Sequence, residues 1–503
     1  MRTVRAFLSG RSFLWLRVPR KVYYRQVACF PARRPSNHRL SLRLIDFSSM
    51  RRFRIQLALL TMLACTAVAL PSSFEPARSA KRQVRWTKKA IPIAVSTSLA
   101  LPNASIKAGS DVAGAIHGAL ATWSIAANIN FVEANSNVQS ISPVDRPDGL
   151  NLITIAVTSE NLAIFGNESS PARTRVFYDA KTGEISEADI VINPYAYSVV
   201  GAPLEFSTDG TPGTYDLQST LTHEIGHLLG LNHSSVIGAT MNATQALNGT
   251  FGLPAMSERT LSESDLAAVK SIYGSRGDTG SIDGRILNNQ QGTLLPAARA
   301  QVWIEDAASG RVMASGVTNS TGAFNIAGIV PGLYRVMTED LNANESADES
   351  LSLDLTRRQS GQSFRTVEIA GGLRVAANKN AQVNYILVPP QNSPVTLNPR
   401  FAGLNSELST VPIPATRGTT LTVYLSGDEV DQVPGTGLLV TSPYLTVNPA
   451  SLRSHQFGGS APVISFDVTI ALDAPAGEYS IQLQSNSGEV ACLVGVLVIG
   501  PKQ

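Results

Sequence analysis

Apolar residues recur at helical spacing three times before residue 275 and fall into short alternating runs after residue 280. Between Ser110 and Ala127, Val112, Ile116, Leu120 and Trp123 stand four, four and three residues apart, which predicts a helix with one buried stripe. Ser110 or Asp111 is placed to cap it. Leu221, Ile225 and Leu228 repeat the stripe, with Asp216 as candidate N-cap. Leu266, Val269 and Ile272 form a third, behind Ser262-Glu263-Ser264-Asp265, a capping box with Asp in place of Glu; Gly274 closes it. Strand-like runs lie between these helices. They are Lys88 to Ser96, Leu152 to Val157, and a hairpin of Thr174 to Tyr178 with Ile185 to Ile192 across the turn residues Asp179 to Gly183. Helices and strands so mixed over 81–275 predict one α+β domain.

Past the linker Ser275-Arg276-Gly277-Asp278-Thr279-Gly280 the helical period vanishes. The Arg-Gly-Asp triplet inside it is read as incidental. Short strands with frequent turn signals predict two all-β sandwich domains, 279–390 and 391–503, divided at Val388 to Pro394. Cys492 to Ile499, reading CLVGVLVI, is expected to be a central strand whose apolar face belongs to a core.

The N-terminus departs from both patterns. Arg51-Arg52-Phe53-Arg54 is basic, Ile55 to Leu70 is apolar and short for a membrane span, and Ala67-Val68-Ala69 fits a cleavage site. Residues 50–80 therefore read as a secretory signal and linker, and 1–49 as an upstream extension ahead of Met50. Cleavage would leave no stable membrane span, make the protein secreted, and remove Cys29 and Cys65, so that Cys492 remains with no internal disulfide. At 503 residues the chain has length for three or four domains. A net charge of +3, concentrated in the leader, gives no nucleic-acid footprint.

The chemistry gathers in one stretch, His223 to His233, reading HEIGHLLGLNH; it holds three of the six histidines. His223 and His227 are four apart, so on a helix both imidazoles share one face and can reach one ion at ~2.0–2.1 Å. Glu224 is one residue further round, wrongly placed for a third ligand on that face but near enough to hold a water. A continued helix would carry His233 away. Gly230 tolerates the left-handed conformation that ends the helix, and the chain then doubles back to deliver His233. Three protein ligands and one open position are the arrangement of a catalytic rather than a structural zinc.

This stretch, His223-Glu224-x-x-His227-x-x-Gly230-x-x-His233, resembles the zinc motif of the metzincins. Ser234 after the third histidine, Met241 beyond it, and Leu261 to Gly274 as a last helix are similar to the matrixin branch, the group that contains the matrix metalloproteinases. The resemblance implies a metzincin-type catalytic domain over 81–275, with a mixed sheet and three helices. It implies zinc on His223, His227 and His233, Glu224 as general base and proton shuttle, and Met241 as a packed floor beneath the metal. It also implies that the strand ending near Ile192 is the sheet edge that pairs with an extended peptide. The histidines of the family's second, structural zinc have no counterparts here, and no segment matches its calcium loops, so Ca2+ is left open. Asn242-Ala243 stands where animal members have Tyr-Pro, so cleavage preference does not transfer.

Gly280-x-Ile282-x-Gly284-x-Ile286 and Thr318-x-x-x-Gly322-x-Phe324-x-Ile326-x-Gly328 resemble a carboxypeptidase-regulatory-like β-domain, and 392–500 is similar to immunoglobulin-like domains. The function expected is a secreted zinc endopeptidase acting on protein or peptide, with the β-domains as candidate contacts to a cell surface or extracellular polymer. The competing reading is an extracellular binding or adhesion protein with an inactive zinc domain; Glu224 beside all three ligands counts against it.

Overall fold

The computed structural model describes residues 83–166, 170–195, 205–255, 257–275, 277–341, 364–388, 396–457 and 461–500. The extension and signal read from residues 1–80, Arg276 of the linker triplet and Pro389 to Pro394 of the interdomain break lie outside them. The protein is mostly β-structure with few helices. Among the described residues no helix is long and apolar enough to cross a membrane.

The first sheet is built from β1 (Ala90–Ser96), β2 (Asn130–Ser136), β3 (Leu152–Thr154), β4 (Ala172–Tyr178) and β5 (Ile185–Ile192), in the order β2-β1-β3-β5-β4. All neighbours run parallel except β4, which pairs antiparallel with β5 at the edge. Parallel strands need crossovers, and helix α1 (Val112–Ala127) supplies the one from β1 to β2. Asp111 rather than Ser110 caps α1, accepting from the Gly114 N–H. The pleat divides the apolar residues between two faces. Ile91, Ile93, Ile153, Ile190 and Ile192 join the core beneath the helices, where Trp123 of α1 is fully buried. Ala94, Leu152 and Val191 turn to the other face and pack with Ile141 and Phe165.

That two-sided burial overturns one expectation. The strand ending at Ile192 is not the sheet edge: β5 is paired on both sides, and β4 is the edge. The run Ala188-Asp189-Ile190-Val191-Ile192 is buried throughout, Asp189 included, as befits an interior strand covered above and below. The Leu152 run is also shorter than expected. After Thr154 the backbone leaves the ladder, because Thr154 Oγ1 donates to Gln139 O at 2.9 Å and Ile155 N–H turns to Ser98 Oγ at 3.3 Å. Beyond the three expected helices the described residues hold one further α-helix, α2 (Ser159–Ala163), too brief to display a period. The long helices that follow are α3 (Leu217–Leu228) and α4 (Glu263–Tyr273). Ser262 and Asp265 complete both bonds of the capping box that opens α4.

From Gly280 on, the described residues form two pairs of sheets. In the first, Val312–Val317, Ala300–Asp306, Gly332–Asp340 and Val367–Val375 make one sheet, and Ala323–Ile329, Gly280–Gln290 and Asn380–Leu387 the core of the other. Ile282, Ile286, Val302, Ile304 and Val336 fill the space between them. In the second pair, Val490–Ile499 lies between Ile413–Ala415 and Gly477–Gln484, an interior position that suits its apolar run. Neither pair stands apart from the α+β part. Gly328, at φ +75°, crosses α4 so closely that a Cβ there would sit 2.0 Å from the Ala267 carbonyl oxygen.

Glu478 is buried in the same region, with one carboxylate oxygen lacking a hydrogen-bond partner. Burial, with the nearby charge of Asp265 next in weight, pushes its carboxyl from 4.5 up to about 8. The folded protein therefore keeps this proton where the unfolded chain has lost it. The stability linked to Glu478 is fully present below pH 4.5 and is lost as pH rises towards about 8. Glu478→Gln is expected to leave the melting temperature unchanged at pH 4.5 and raise it by about 3 °C at pH 8.5. Calorimetry at the two pH values checks this; parallel pH slopes in the two proteins would refute it.

Candidate metal centre

Helix α3 carries the site, and local chemistry fixes both its ends. Asp216 caps it by accepting from Ser219 N–H at 2.9 Å, and Arg259 pairs with the buried Asp216 carboxylate at 2.5 Å. Leu221, Ile225 and Leu228 are fully buried, which fixes the rotation of the helix and turns His223 and His227 away from the core. At the C-terminus, Leu228 O accepts from Trp86 Nε1 at 2.9 Å and Leu229 O from Tyr273 Oη at 2.7 Å, so carbonyls left over by the helix are satisfied. Gly230 then takes φ +92°. A side chain there would also meet the Val84 carbonyl oxygen at 2.3 Å, so the reversal needs glycine for space as well as for torsion.

The reversal brings the three imidazoles together. His227 Nε2 lies 3.1 Å from His223 Nε2 and 3.2 Å from His233 Nε2. The opposite nitrogens face backbone carbonyls: His223 Nδ1 is 2.7 Å from Thr240 O, and His227 Nδ1 is 2.9 Å from Leu231 O. A carbonyl only accepts, so each neutral ring carries its proton on Nδ1 and turns an Nε2 lone pair inward. Nitrogens bound to one ion at ~2.0–2.1 Å in tetrahedral geometry stand ~3.3 Å apart. The donor set therefore fits a divalent metal such as zinc. Among the described residues this is the one group of three or more His, Cys, Asp or Glu side chains placed to share an ion.

Glu224 sits beside the cluster and is 6% exposed. Its Oε2 accepts from Thr174 Oγ1 of β4 at 2.5 Å. Burial pushes its carboxyl up; His223, the Thr174 hydroxyl and Arg173 act in the opposite direction. Ser234 donates its N–H to Met241 O at 2.7 Å, and its hydroxyl accepts from Val236 N–H at 3.2 Å.

Met241 is buried against Gly226 of α3. Asp265 holds it there, accepting from Thr240 N–H at 2.8 Å and Met241 N–H at 3.1 Å. The same Thr240 offers its carbonyl to His223, so α4 is linked through two residues to the first imidazole. Thr174, Asp265 and Gly226 thus belong to the site, although the motif marked none of them. Asp265 is legible in the sequence as a capping residue and as part of the matrixin-like last helix, and neither reading ties it to Met241. Gly226 is the second variable position of the motif. A Cβ on Gly226 would lie 2.2 Å from Met241 Sδ and 2.9 Å from Trp123. Gly226→Ala is therefore expected to lower stability by ~1–3 kcal/mol through overpacking and to weaken metal binding, as thermal melts with and without zinc would report. Melts identical to those of the unaltered protein would show that Met241 moves aside at no cost.

The sequence profile of the matrixin family matches residues 163–274. Metalloendoproteinase 1 of Glycine max is 27% identical over 152 residues, which are 29% of this chain and 36% of that protein. Matrilysin of Mus musculus is 35% identical over 72 residues, 14% of this chain and 25% of that protein. The chain thus spans 36% and 25% of the length of these two relatives. The histidine triad, Met241 and α4 all fall inside the matched segment, and residues 163–274 are a matrixin domain, of a family of zinc-dependent metalloproteases.

Proposed function

We propose that this protein is a secreted zinc endopeptidase that hydrolyses peptide bonds in protein or peptide substrates, with Glu224 as general base. The convergence of three inward-facing Nε2 atoms beside a buried carboxylate carries this reading. His223, His227 and His233 would hold the metal and leave one coordination position open. A bound zinc ion supplies Lewis acidity, polarising the scissile carbonyl and acidifying water. Glu224 takes a proton from the attacking water at its carboxylate and passes it to the departing amine, so the base regains its charge. Thr174 fixes one carboxylate oxygen by donating to it. The outer edge of β4 pairs with no strand among the described residues and adjoins Glu224 through Thr174. An extended peptide added to that edge would run past the carboxylate. No observation favours the inactive adhesion protein over this reading.

Glu224→Ala is expected to keep the zinc bound and to lower kcat/KM on casein or gelatin by at least ~10³-fold. Elemental analysis together with the protease assay checks both halves, with a chelator-treated sample as the metal-free reference. Cleavage by the variant at the original rate would end the assignment of Glu224.

A further inference from the structure

The loop from Ser234 to Thr240 joins the third histidine to Met241, and its outer side does not face water. Val236 and Ala239 are buried in one cluster with Trp303, Val312 and Met337 of the first sheet pair and Cys492 and Val494 of the second. Three parts of the chain meet in this cluster. Ile237 donates its N–H to Val494 O at 2.9 Å and places its side chain in the core of the second pair, among Leu493 and Val496. Ser235 O accepts from Gln301 Nε2 at 3.3 Å. The backbones approach closely as well. A Cβ on Gly238 would lie 2.6 Å from Val498 and 2.8 Å from Gly495 O, and one on Gly495 would lie 2.5 Å from Val236.

Connecting loops normally run over a surface with solvent on one side and move accordingly. This one is enclosed by core on its outer side. On its inner side it ends at Thr240, whose carbonyl is the acceptor for His223 Nδ1. Outer-shell acceptors of this kind set the tautomer and ring orientation of a metal-ligating histidine. We propose that the β-structure after Gly280 is part of the metal centre, and that Gln301, Trp303 and Val494 are positioning residues. Acting through the Ser234–Thr240 loop, they set the Thr240 carbonyl and the approach of His233. The proposal rests on the reading of the three histidines as a zinc site. It assigns the β-domains a role in the site itself rather than in localisation alone.

The test uses the full chain with Gln301→Met, which removes one donor with little change of shape, and Val494→Ala, which opens a small cavity at the junction. Ile282→Ala, in the core of the first sheet pair and outside the junction cluster, is the control for lost stability. Zinc affinity is measured by competition with a chelator, and the geometry of the centre is read from the visible spectrum of the cobalt(II)-loaded protein. Both junction variants are expected to weaken zinc binding ~10-fold and to shift the cobalt bands. Ile282→Ala should melt lower with affinity and spectrum unchanged. If Val494→Ala does not fold, Gln301→Met decides. An unaltered protein that binds zinc, with Gln301→Met matching it in affinity and spectrum, overturns the positioning role and leaves the protease reading intact. An unaltered protein that binds no zinc overturns both.

Discussion

Two imidazole lone pairs, those of His223 and His227, are turned towards the point that His233 Nε2 also approaches, and lone pairs brought so close repel one another. Two of the rings are committed to this state because their protonated nitrogens face the carbonyls of Thr240 and Leu231. A positive charge at the common point turns that repulsion into attraction, so the arrangement suits a cation. Much of the surrounding structure can be read as what holds those two carbonyls still. Leu231 lies in the turn enabled by Gly230, and Thr240 is held by Asp265 at the head of α4.

The elements that carry the ligands were legible because they depend on local chemistry. The stripe of Leu221, Ile225 and Leu228, the cap at Asp216 and the glycine at 230 each have a cause within a few residues. The same holds for α4, where Ser262 and Asp265 announce the start. The histidine spacing announces a shared metal for the same reason. What the sequence concealed depends on distant partners. Thr174 looks like an ordinary strand threonine until β4 is laid beside α3. Gly226 looks like a tolerated helix glycine until Met241 and Trp123 are brought against it.

The misplaced sheet edge has the same origin. Alternation and apolarity describe a strand's burial, and β5 is apolar enough to fit several positions in a sheet. Its place between β3 and β4 follows from the parallel crossovers, which no single segment encodes. The sheets after Gly280 were visible as turns and alternating runs, yet their packing against the Ser234–Thr240 loop was not. Val236, Ile237 and Ala239 are short apolar residues inside a motif-rich stretch, and their burial there is explained equally well by a core within the α+β part.

The partners of Ile237 lie far downstream along the polypeptide. Contacts of such long sequence separation form late, after the intervening segments have been made and collapsed. A chain emerging from the ribosome would present its histidines well before the strand around Val494 existed to enclose the loop beside them. By that order helix α3 forms from its own local contacts, while the loop beside it waits for strands that lie far downstream.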